Sequence, residues 1–434
     1  MTTAKNLARI MTQSRPRRPA RPSPADPTRD IAFDIVCGVV EHRRMLETTL
    51  ERAPDTDPRD RASAHRLAAT TLRHMGTSGE VLAPLLRREP PAPVRVALLM
   101  GVTQLLFLDV PPHAAVGTIV DMLRRRGLAP FAGLANAVLR RVAKDGQALL
   151  DGLDQSRLDV PAWLWSAWGA RARAIAKGLH REAPLDLTLR PGATAPEGGI
   201  VMPGGSVRYP AGTRVTTLEG FEAGTFWVQD MAAAVPARLL GDVAGQRVVD
   251  LCAAPGGKTA QLAAAGASVI AVEREAGRMA RLRENLARIG VSAETVVADA
   301  ESWRPETPVD AVLLDAPCSA TGTLRRHPDV LWVKRPRDVT ALAAGQDRLI
   351  DAARDMLRPG GVLVYAVCSL QDEEGPDRVR AALTRGWRCE PIGADMLADL
   401  PEALTPEGWY RTHPGMRPDE GGMDGFFAAR LIRI

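Results

Sequence analysis

Residues 248–259 read VVDLCAAPGGKT, a short hydrophobic run that passes directly into a glycine-rich loop. The β-branched residues before Asp250 are typical of a buried strand, and the adjacent glycines let backbone N–H groups approach a bound ligand closely. A phosphate-binding loop for nucleoside triphosphates would need a glycine where Cys252 stands. The segment therefore predicts a strand, a loop and a helix around a nucleotide-type ligand that carries no triphosphate.

The chain beyond Gly245 alternates between β-rich runs and helical stretches. Strands are predicted at 248–251, 269–273, 295–298, 311–315 and 362–367, and the longest helices at 277–289 and 339–357. Repeated β-α-β units predict a parallel sheet with helices on both faces, which is a Rossmann-like α/β fold. Ligands of such sheets bind beyond the carboxyl ends of the strands, so the motifs at these ends are the first candidates for chemistry.

Acidic residues mark the ends of three consecutive predicted strands. Glu273 ends the strand that follows the glycine-rich loop, where doubly wound sheets place a carboxylate on the ribose hydroxyls of a cofactor. Asp250 and Asp299 occupy the ends of the strands before and after it. Acidic surroundings favour the sulfonium and amino groups of S-adenosylmethionine over the pyrophosphate of a dinucleotide. We therefore expect S-adenosylmethionine as the cofactor.

Two cysteines stand just past the ends of the fourth and fifth predicted strands. Residues 315–323 read DAPCSATGT and residues 365–370 read YAVCSL, which places Cys318 and Cys368 at the ligand edge of the sheet. A thiolate that adds to carbon 6 of a pyrimidine makes carbon 5 nucleophilic enough to accept a methyl group. One cysteine as nucleophile and the second for its release form a coherent pair, with Asp315 beside the ring or the cofactor amine.

The motifs DLCAAPGGKT, DAPCSATGT and VYAVCSL occur in this order and resemble those of the RNA cytosine-C5 methyltransferases, the Sun/nucleolar-protein family. The resemblance covers residues 150–434. It implies a covalent mechanism that forms 5-methylcytosine in RNA, with Cys368 as the nucleophile, Cys318 for product release and Asp315 in the catalytic set. It also implies that the cofactor is held by Cys252, Ala253, Ala254, Pro255, Gly256, Gly257, Lys258, Glu273, Asp299 and Asp315.

The front half of the chain has helical periodicity, which predicts an all-α domain at 30–145. The runs QLLFLDVPPHAAV (104–116) and NAVLRR (136–141) resemble the NusB-like RNA-binding domain of ribosomal RNA methyltransferases. This resemblance implies 16S ribosomal RNA as the substrate. The alternatives are the same chemistry on transfer RNA and a non-catalytic RNA-binding ribosome assembly factor. Arginines at 124–126 and 140–141 are interpreted either as a phosphate-binding surface or as ordinary charges in the last turns of helices.

The segment between these two parts is mixed in character. Residues 150–235 are predicted to form a small α+β subdomain ahead of a methyltransferase domain at 236–434, with short strands at 185–189, 199–202 and 213–215. Trp163, Trp165 and Trp168 lie close together in this segment. Because tryptophan is chiefly a core and interface residue, we interpret them as a packing cluster between domains rather than a base-stacking platform.

Composition excludes several protein classes. With 434 residues, 45% of them hydrophobic and 25% charged, the chain can build several folded domains and is neither disordered throughout nor fibrous. No stretch reaches the about 20 apolar residues of a membrane span. The N-terminal residues lack the apolar core of a secretory signal, and the five cysteines are dispersed without a C-x-x-C pair. We therefore expect a cytoplasmic monomer without a metal site, in which Cys37, Cys252 and Cys389 have inert thiols.

The formal net charge of +5 is concentrated at the N-terminus. Residues 1–29 hold seven Lys and Arg against a single acid, Asp26, together with five prolines. Prolines disfavour a helix, so this segment is predicted to be a disordered basic arm. The arm serves either as an RNA contact or as a solubilising tail.

Overall fold

A computed structural model describes residues 25–434, so residues 1–24 of the predicted arm lie outside the described residues. The rest of the arm is not disordered, because helix α1 (Pro27–His42) begins inside it. The prediction was therefore wrong for residues 27–29. A proline at the first helical position gives up only an N–H that would be unpaired anyway. The Asp26 side chain caps the helix by accepting a hydrogen bond from the backbone N–H of Arg29.

Six further helices complete the N-terminal domain. They are α2 (Leu46–Glu51), α3 (Pro58–Arg73), α4 (Met75–Leu82), α5 (Ala92–Leu106), α6 (Pro112–Arg125) and α7 (Ala132–Asp151). Helix α5 is apolar on nearly all sides and is buried in the middle of the domain. Gly101 lets α7 pack closely on it, since an added Cβ would lie 2.5 Å from the Leu139 side chain. Within residues 25–434, no helix combines the length and apolarity that a membrane span requires.

The arginines at the end of α6 take part in packing within this domain. Arg126 donates hydrogen bonds to the carboxylates of Asp30 and Asp34 on α1, and Arg125 lies 3.1 Å from the Asp30 carboxylate. These two side chains fasten α6 to α1, which favours a structural interpretation for them. Arg124 instead pairs with Asp121 on its own helix and keeps half of its side chain exposed.

The middle region contains three short helices followed by a small antiparallel sheet. The helices are α8 (Gln155–Leu158), α9 (Ala162–Trp168) and α10 (Ala172–Leu179), and the sheet has the order β2-β3-β1-β4 from strands β1 (Leu185–Leu189), β2 (Ile200–Val201), β3 (Val207–Tyr209) and β4 (Phe226–Val228). The strand predicted at 213–215 is wrong. Gly212 has φ of +81° and the Thr213 hydroxyl donates to the Pro210 carbonyl, so the chain turns there and continues as a 3-10 turn at Val215–Thr217.

The C-terminal domain is a mixed sheet with helices on both faces. Its helices are α11 (Met231–Arg238), α12 (Gly257–Ala264), α13 (Ala276–Ile289), α14 (Val330–Val333), α15 (Pro336–Met356) and α16 (Pro376–Leu383). Its strands are β5 (Arg247–Leu251), β6 (Ser268–Glu273), β7 (Glu294–Val297), β8 (Val309–Asp315), β9 (Leu357–Val367), β10 (Trp387–Glu390), β11 (Tyr410–Arg411) and β12 (Phe427–Arg433).

The strand order is β10-β12-β9-β8-β5-β6-β7, with β11 paired to β12. The five central strands from β9 to β7 are parallel, as the β-α-β pattern predicts, whereas β12 runs antiparallel to β9. Side chains of β5 alternate between faces: Val249 and Leu251 pack in a cluster with α15, and Val248 packs in a second cluster with α11. The strand order reverses between β5 and β8, where such sheets bind ligands.

The helical domain rests on the segment that follows the Cys318 loop. The Trp332 indole donates to the Leu72 carbonyl at 2.8 Å, and the Asp329 carboxylate accepts from the backbone N–H of Leu46 at 2.9 Å. Val333 lies in the apolar core of the helical domain. The domain is thereby held beside one of the two cysteine loops.

The tryptophan cluster lies in the interface between the middle region and the C-terminal domain. Trp168 is buried, and its indole N–H donates to the Gln371 side chain at 3.1 Å. Trp168 packs with Leu324, just beyond the Cys318 motif, and with Leu370, the last residue of the Cys368 motif, and Trp163 and Trp165 border the same cluster. The interpretation as interdomain packing is confirmed.

A buried group of two arginines and two aspartates joins the middle region to the C-terminal domain. Arg325 has no exposed side-chain surface and lies 3.2 Å from Asp230 and 3.0 Å from Asp424. Arg326 contacts the same two carboxylates. Two cations therefore balance two anions in a largely buried setting, and the loop that follows Cys318 is fixed to the starts of α11 and β12.

We expect Arg325→Met to destabilise the C-terminal domain by about 3 kcal/mol, because it leaves two buried carboxylates with one cation. Urea unfolding followed by circular dichroism measures this change. Arg337→Met is the matched control, since 71% of the Arg337 side chain is exposed. Equal unfolding midpoints for the two variants would contradict the role assigned to the buried group.

Candidate active site

The glycine-rich loop leaves β5 through two residues in the left-handed region. Cys252 has φ of +60° and Gly256 has φ of +101°, and Gly256 caps the start of α12. A side chain at Gly256 would also meet Leu282, because an added Cβ would lie 3.0 Å from its Cγ. The Thr259 hydroxyl donates to the Asp250 carboxylate at 2.6 Å and ties the two ends of the loop together. These contacts fix the backbone of the glycine-rich loop at the ligand edge of the sheet.

Two cavities lie side by side at this edge and share Cys252. The first has a volume of about 390 Å³ and is lined by Glu273 and Asp299. The second has a volume of about 570 Å³ and is lined by Asp315 and Cys368 together with the glycine-rich loop. The sequence-predicted residues therefore divide into two groups on either side of the loop.

The first cavity is lined by carboxylates that can accept hydrogen bonds. Glu273, at the end of β6, is only 4% exposed. Its Oε1 accepts from the backbone N–H of Glu275, whereas its Oε2 lies 3.1 Å from Arg278 but has no hydrogen-bond partner among residues 25–434. Asp299, beyond the end of β7, is exposed and accepts from the N–H of Glu301. Free acceptors at both strand ends suit the hydroxyl and ammonium donors of an adenosine cofactor with a positive charge.

The second cavity contains a half-buried ion pair. Lys258 Nζ lies 2.6 Å from the Asp315 carboxylate and 5.3 Å from the centre of the Phe426 ring. Burial alone lowers the pKa of the Lys258 ammonium, but attraction by Asp315, Asp250 and Cys368 outweighs burial and raises the pKa overall. Lys258 therefore keeps its positive charge beside Cys368.

The two cysteine motifs meet at the ends of β8 and β9. The Sγ atoms of Cys318 and Cys368 are 3.4 Å apart, and the N–H of Gly322 donates to the Cys368 carbonyl at 3.0 Å. The pKa of the Cys318 thiol is raised by its hydrogen bond to Cys368, by burial and by the charge of Cys368. One sulfur atom of the pair faces the second cavity, and the other stands directly behind it.

The third cysteine of this region differs from that pair. Burial and the nearby charge of Glu273 together raise the pKa of the Cys252 thiol to about 12. A thiol with this pKa stays protonated near neutral pH and is a poor nucleophile. The inert side chain predicted for Cys252 agrees with its setting.

Several cavity residues had no role in the sequence analysis. Phe426, Arg326 and His327 line the second cavity, and so does Trp227 from the middle region. These residues come from segments far apart in the chain, and they carry no spacing pattern that points to the strand ends. The sequence analysis assigned Lys258 to the cofactor and Asp315 to both the cofactor and the catalytic set, and the structure places both residues in the second cavity with Cys368.

Comparisons with protein families match both halves of the chain. A family model described as "16S rRNA methyltransferase RsmB/F" matches residues 237–432, and one described as "NusB family" matches residues 26–144. Proteins named ribosomal RNA small subunit methyltransferase B are similar over nearly the full length. The one from Pseudomonas syringae pv. tomato is 36% identical over 92% of this chain and 94% of its own, and the one from Xylella fastidiosa is 36% identical over 93% and 97%.

Solved structures share the fold. The crystal structure of PH0851 superposes with a TM-score of 0.70 at 20% identity and covers 95% of this chain and 100% of that one. A methyltransferase homolog protein from Pyrococcus horikoshii gives a TM-score of 0.52 at 23% identity, over 67% and 98% of the two chains. From the full-length similarity to its relatives, this chain belongs to the 16S rRNA methyltransferase RsmB/F family and carries a NusB-family domain ahead of its methyltransferase sheet.

Proposed function

We propose that this protein forms 5-methylcytosine in 16S ribosomal RNA, with S-adenosylmethionine as the methyl donor and a covalent bond between Cys368 and carbon 6 of the base. The observation that carries the proposal is the 3.4 Å contact between the Sγ atoms of Cys318 and Cys368. Cys368 lines the second cavity, which lies beside the acid-lined first cavity. The names of the relatives support the RNA substrate, and the NusB-family match supports an RNA-binding role for the helical domain.

The acid-lined cavity has acceptors suited to the cofactor. Glu273 and Asp299 would hold its ribose and adenosine end, and the backbone of the glycine-rich loop from Cys252 to Gly257 would border it. When bound, S-adenosylmethionine supplies an electrophilic methyl group at a sulfonium centre. The Cys252 thiol takes no part, because only its strained backbone is used.

The second cavity would hold the target cytosine, flipped out of its stack. The Cys368 thiolate adds to carbon 6, and the ring electrons make carbon 5 able to accept the methyl group. The Lys258 ammonium stabilises negative charge at this position, and the Asp315 carboxylate, paired with it, offers an acceptor for the exocyclic amine of the base. The proton on carbon 5 then passes to water, the electrons of that C–H bond re-form the double bond between carbons 5 and 6, and the bond from carbon 6 to Cys368 breaks to release the thiolate. Cys318 is close enough to assist that release.

The helical domain would contribute RNA contacts through exposed arginines. Arg140 and Arg141 on α7 face solvent, and Arg141 keeps 65% of its side chain exposed. Phosphate contacts of this kind position an RNA but do not read its sequence. Selection of the target cytosine is therefore assigned to the second cavity and to the loops around it.

We expect Cys318→Ala to accumulate a covalent protein–RNA adduct, because the bond from Cys368 still forms while its release is slowed. A denaturing gel with labelled RNA and S-adenosylmethionine reveals the adduct as a shifted band. Cys389→Ala is the control and gives no band, since Cys389 lies in β10, away from both cavities. RNA binding without any adduct in Cys318→Ala would instead favour a non-catalytic assembly factor.

We expect Cys368→Ala to reduce methyl transfer by about a thousandfold or more, because the nucleophile is removed. Its affinity for S-adenosylmethionine, measured by isothermal titration calorimetry, stays within about twofold of the wild type, since the first cavity is intact. Substantial methyl transfer by this variant would overturn the covalent mechanism.

Bisulfite mapping distinguishes the two RNA substrates. In cells that lack the protein, a cytosine of 16S ribosomal RNA should become sensitive to bisulfite conversion, and re-expression of the wild type should restore its resistance. If only cytosines of transfer RNA changed their sensitivity to bisulfite, the protein would methylate transfer RNA rather than 16S ribosomal RNA.

A further inference from the structure

A buried carboxylate lies behind the two cysteine loops and has no part in the mechanism described so far. Glu374, between β9 and α16, has no exposed surface. Its Oε1 accepts from the backbone N–H of Ser319 at 2.8 Å and from the Gln346 amide at 3.3 Å. Its Oε2 accepts from the hydroxyls of Ser319 and Ser369, both at 2.5 Å. One side chain therefore binds the residue that follows each cysteine.

These contacts fit the anionic form of the carboxylate. The backbone N–H and the amide of Gln346 can only donate. The Ser369 hydroxyl already accepts from the N–H of Gln371 at 3.1 Å, so its hydrogen is free to point at Glu374. Burial raises the pKa of Glu374 overall, and the hydrogen bonds from Ser319, Ser369 and Gln346 offset only part of that rise. A carboxylate that receives only donors is stabilised with its charge.

The charge of Glu374 distinguishes the two thiols. Besides its contact with Cys368 and its burial, Cys318 has its pKa raised by the negative charge of Glu374. Cys368 lies on the other side of the pair and lines the same cavity as the Lys258 ammonium. Tyr365 is fully buried nearby, where burial and the charge of Cys318 raise its pKa, and its hydroxyl donates to the backbone carbonyl of Glu374.

We propose that Glu374 is a positioning residue that holds the two cysteine loops in register and directs negative charge onto Cys368 rather than Cys318. The proposal rests on the proposed function for its catalytic consequence, since it determines which thiol of the pair acts as the nucleophile. The Lys258 ammonium lies in the cavity that Cys368 lines, and the Glu374 carboxylate binds Ser319, the residue after Cys318. The negative charge of Glu374 thereby disfavours a thiolate at Cys318.

The decisive experiment measures the ionisation of Cys318 without RNA or cofactor. In a Cys368→Ala protein, the rate of Cys318 alkylation by iodoacetamide is followed by mass spectrometry from pH 7 to pH 10. Adding Glu374→Gln removes the charge and keeps the shape of the side chain. We expect the midpoint of the pH profile to fall, so that Cys318 reacts about tenfold faster at pH 8.

The neighbouring residue provides a matched control. Glu373 is exposed, and Glu373→Gln in the same Cys368→Ala protein should leave the alkylation profile unchanged. A rate that rises equally at every pH in the Glu374→Gln protein would report easier access to the loop rather than ionisation, and would overturn the electrostatic role. An unchanged profile would overturn it as well.

The second measurement tests the positioning role and does not depend on the folding of Glu374→Gln. Ser319→Ala and Ser369→Ala each remove one hydrogen bond to the carboxylate without leaving a charge unpaired. We expect kcat for methyl transfer to fall about tenfold in each, with KM for S-adenosylmethionine unchanged, because near-attack geometry is lost and cofactor binding is not. Ser166→Ala, at an exposed serine, is the control.

Wild-type kcat in both serine variants would refute the positioning role. The two measurements also separate this proposal from the proposed function. A wild-type protein that does not methylate RNA would refute the function, while the alkylation profiles would still report whether Glu374 controls the ionisation of Cys318.

Discussion

The parallel pairing of β8 with β9 is the constraint on which the candidate active site depends. Asp315 lies opposite Ala366 in this pairing, so both strands end at the same edge and their following loops meet there. Cysteines 50 positions apart in the chain are thereby brought to within 3.4 Å, and the hydrogen bond from Gly322 to the Cys368 carbonyl fixes the contact. A shift of one residue in this register would turn the side chains of one strand to the opposite face and separate the two thiols.

Three charged side chains reach this junction from different parts of the chain. Lys258 reaches it from the glycine-rich loop, Asp315 from the end of β8, and Glu374 from behind the loops. Acidic acceptors at Glu273 and Asp299 lie on the far side of the glycine-rich loop, in a cavity of their own. A cofactor could therefore occupy the acid-lined first cavity, and a base could occupy the second cavity, which Cys368 lines.

Domain packing supports the same loops. The helical domain contacts the segment around Trp332, and the tryptophan cluster of the middle region packs against Leu324 and Leu370. The buried arginine–aspartate group fixes Arg325 and Arg326 just beyond the Cys318 motif. The domains thus support the two cysteine loops from outside the sheet, which is how a scaffold positions side chains accurately.

The sequence by itself determined the fold class, which is a NusB-like domain followed by a Rossmann-like methyltransferase domain. The motifs at the ends of the central strands, which occur in a fixed order, also determined the family. These features are local: hydrophobic periodicity, turn residues and contiguous motifs are written in short segments. The antiparallel strands β10 to β12 escaped prediction because they lie outside the β-α-β repeat, and β10 and β11 are also short. The strand predicted at 213–215 is replaced by the turn at Gly212.

Only the tertiary structure decided how the predicted residues divide between two cavities. It also showed that Lys258 pairs with Asp315 and that Glu374 joins both cysteine loops. Such relations depend on which strand ends lie side by side, and on buried charges that need partners from distant segments. No spacing rule along the chain encodes them, since the free energy of a buried charge is set by its neighbours in space.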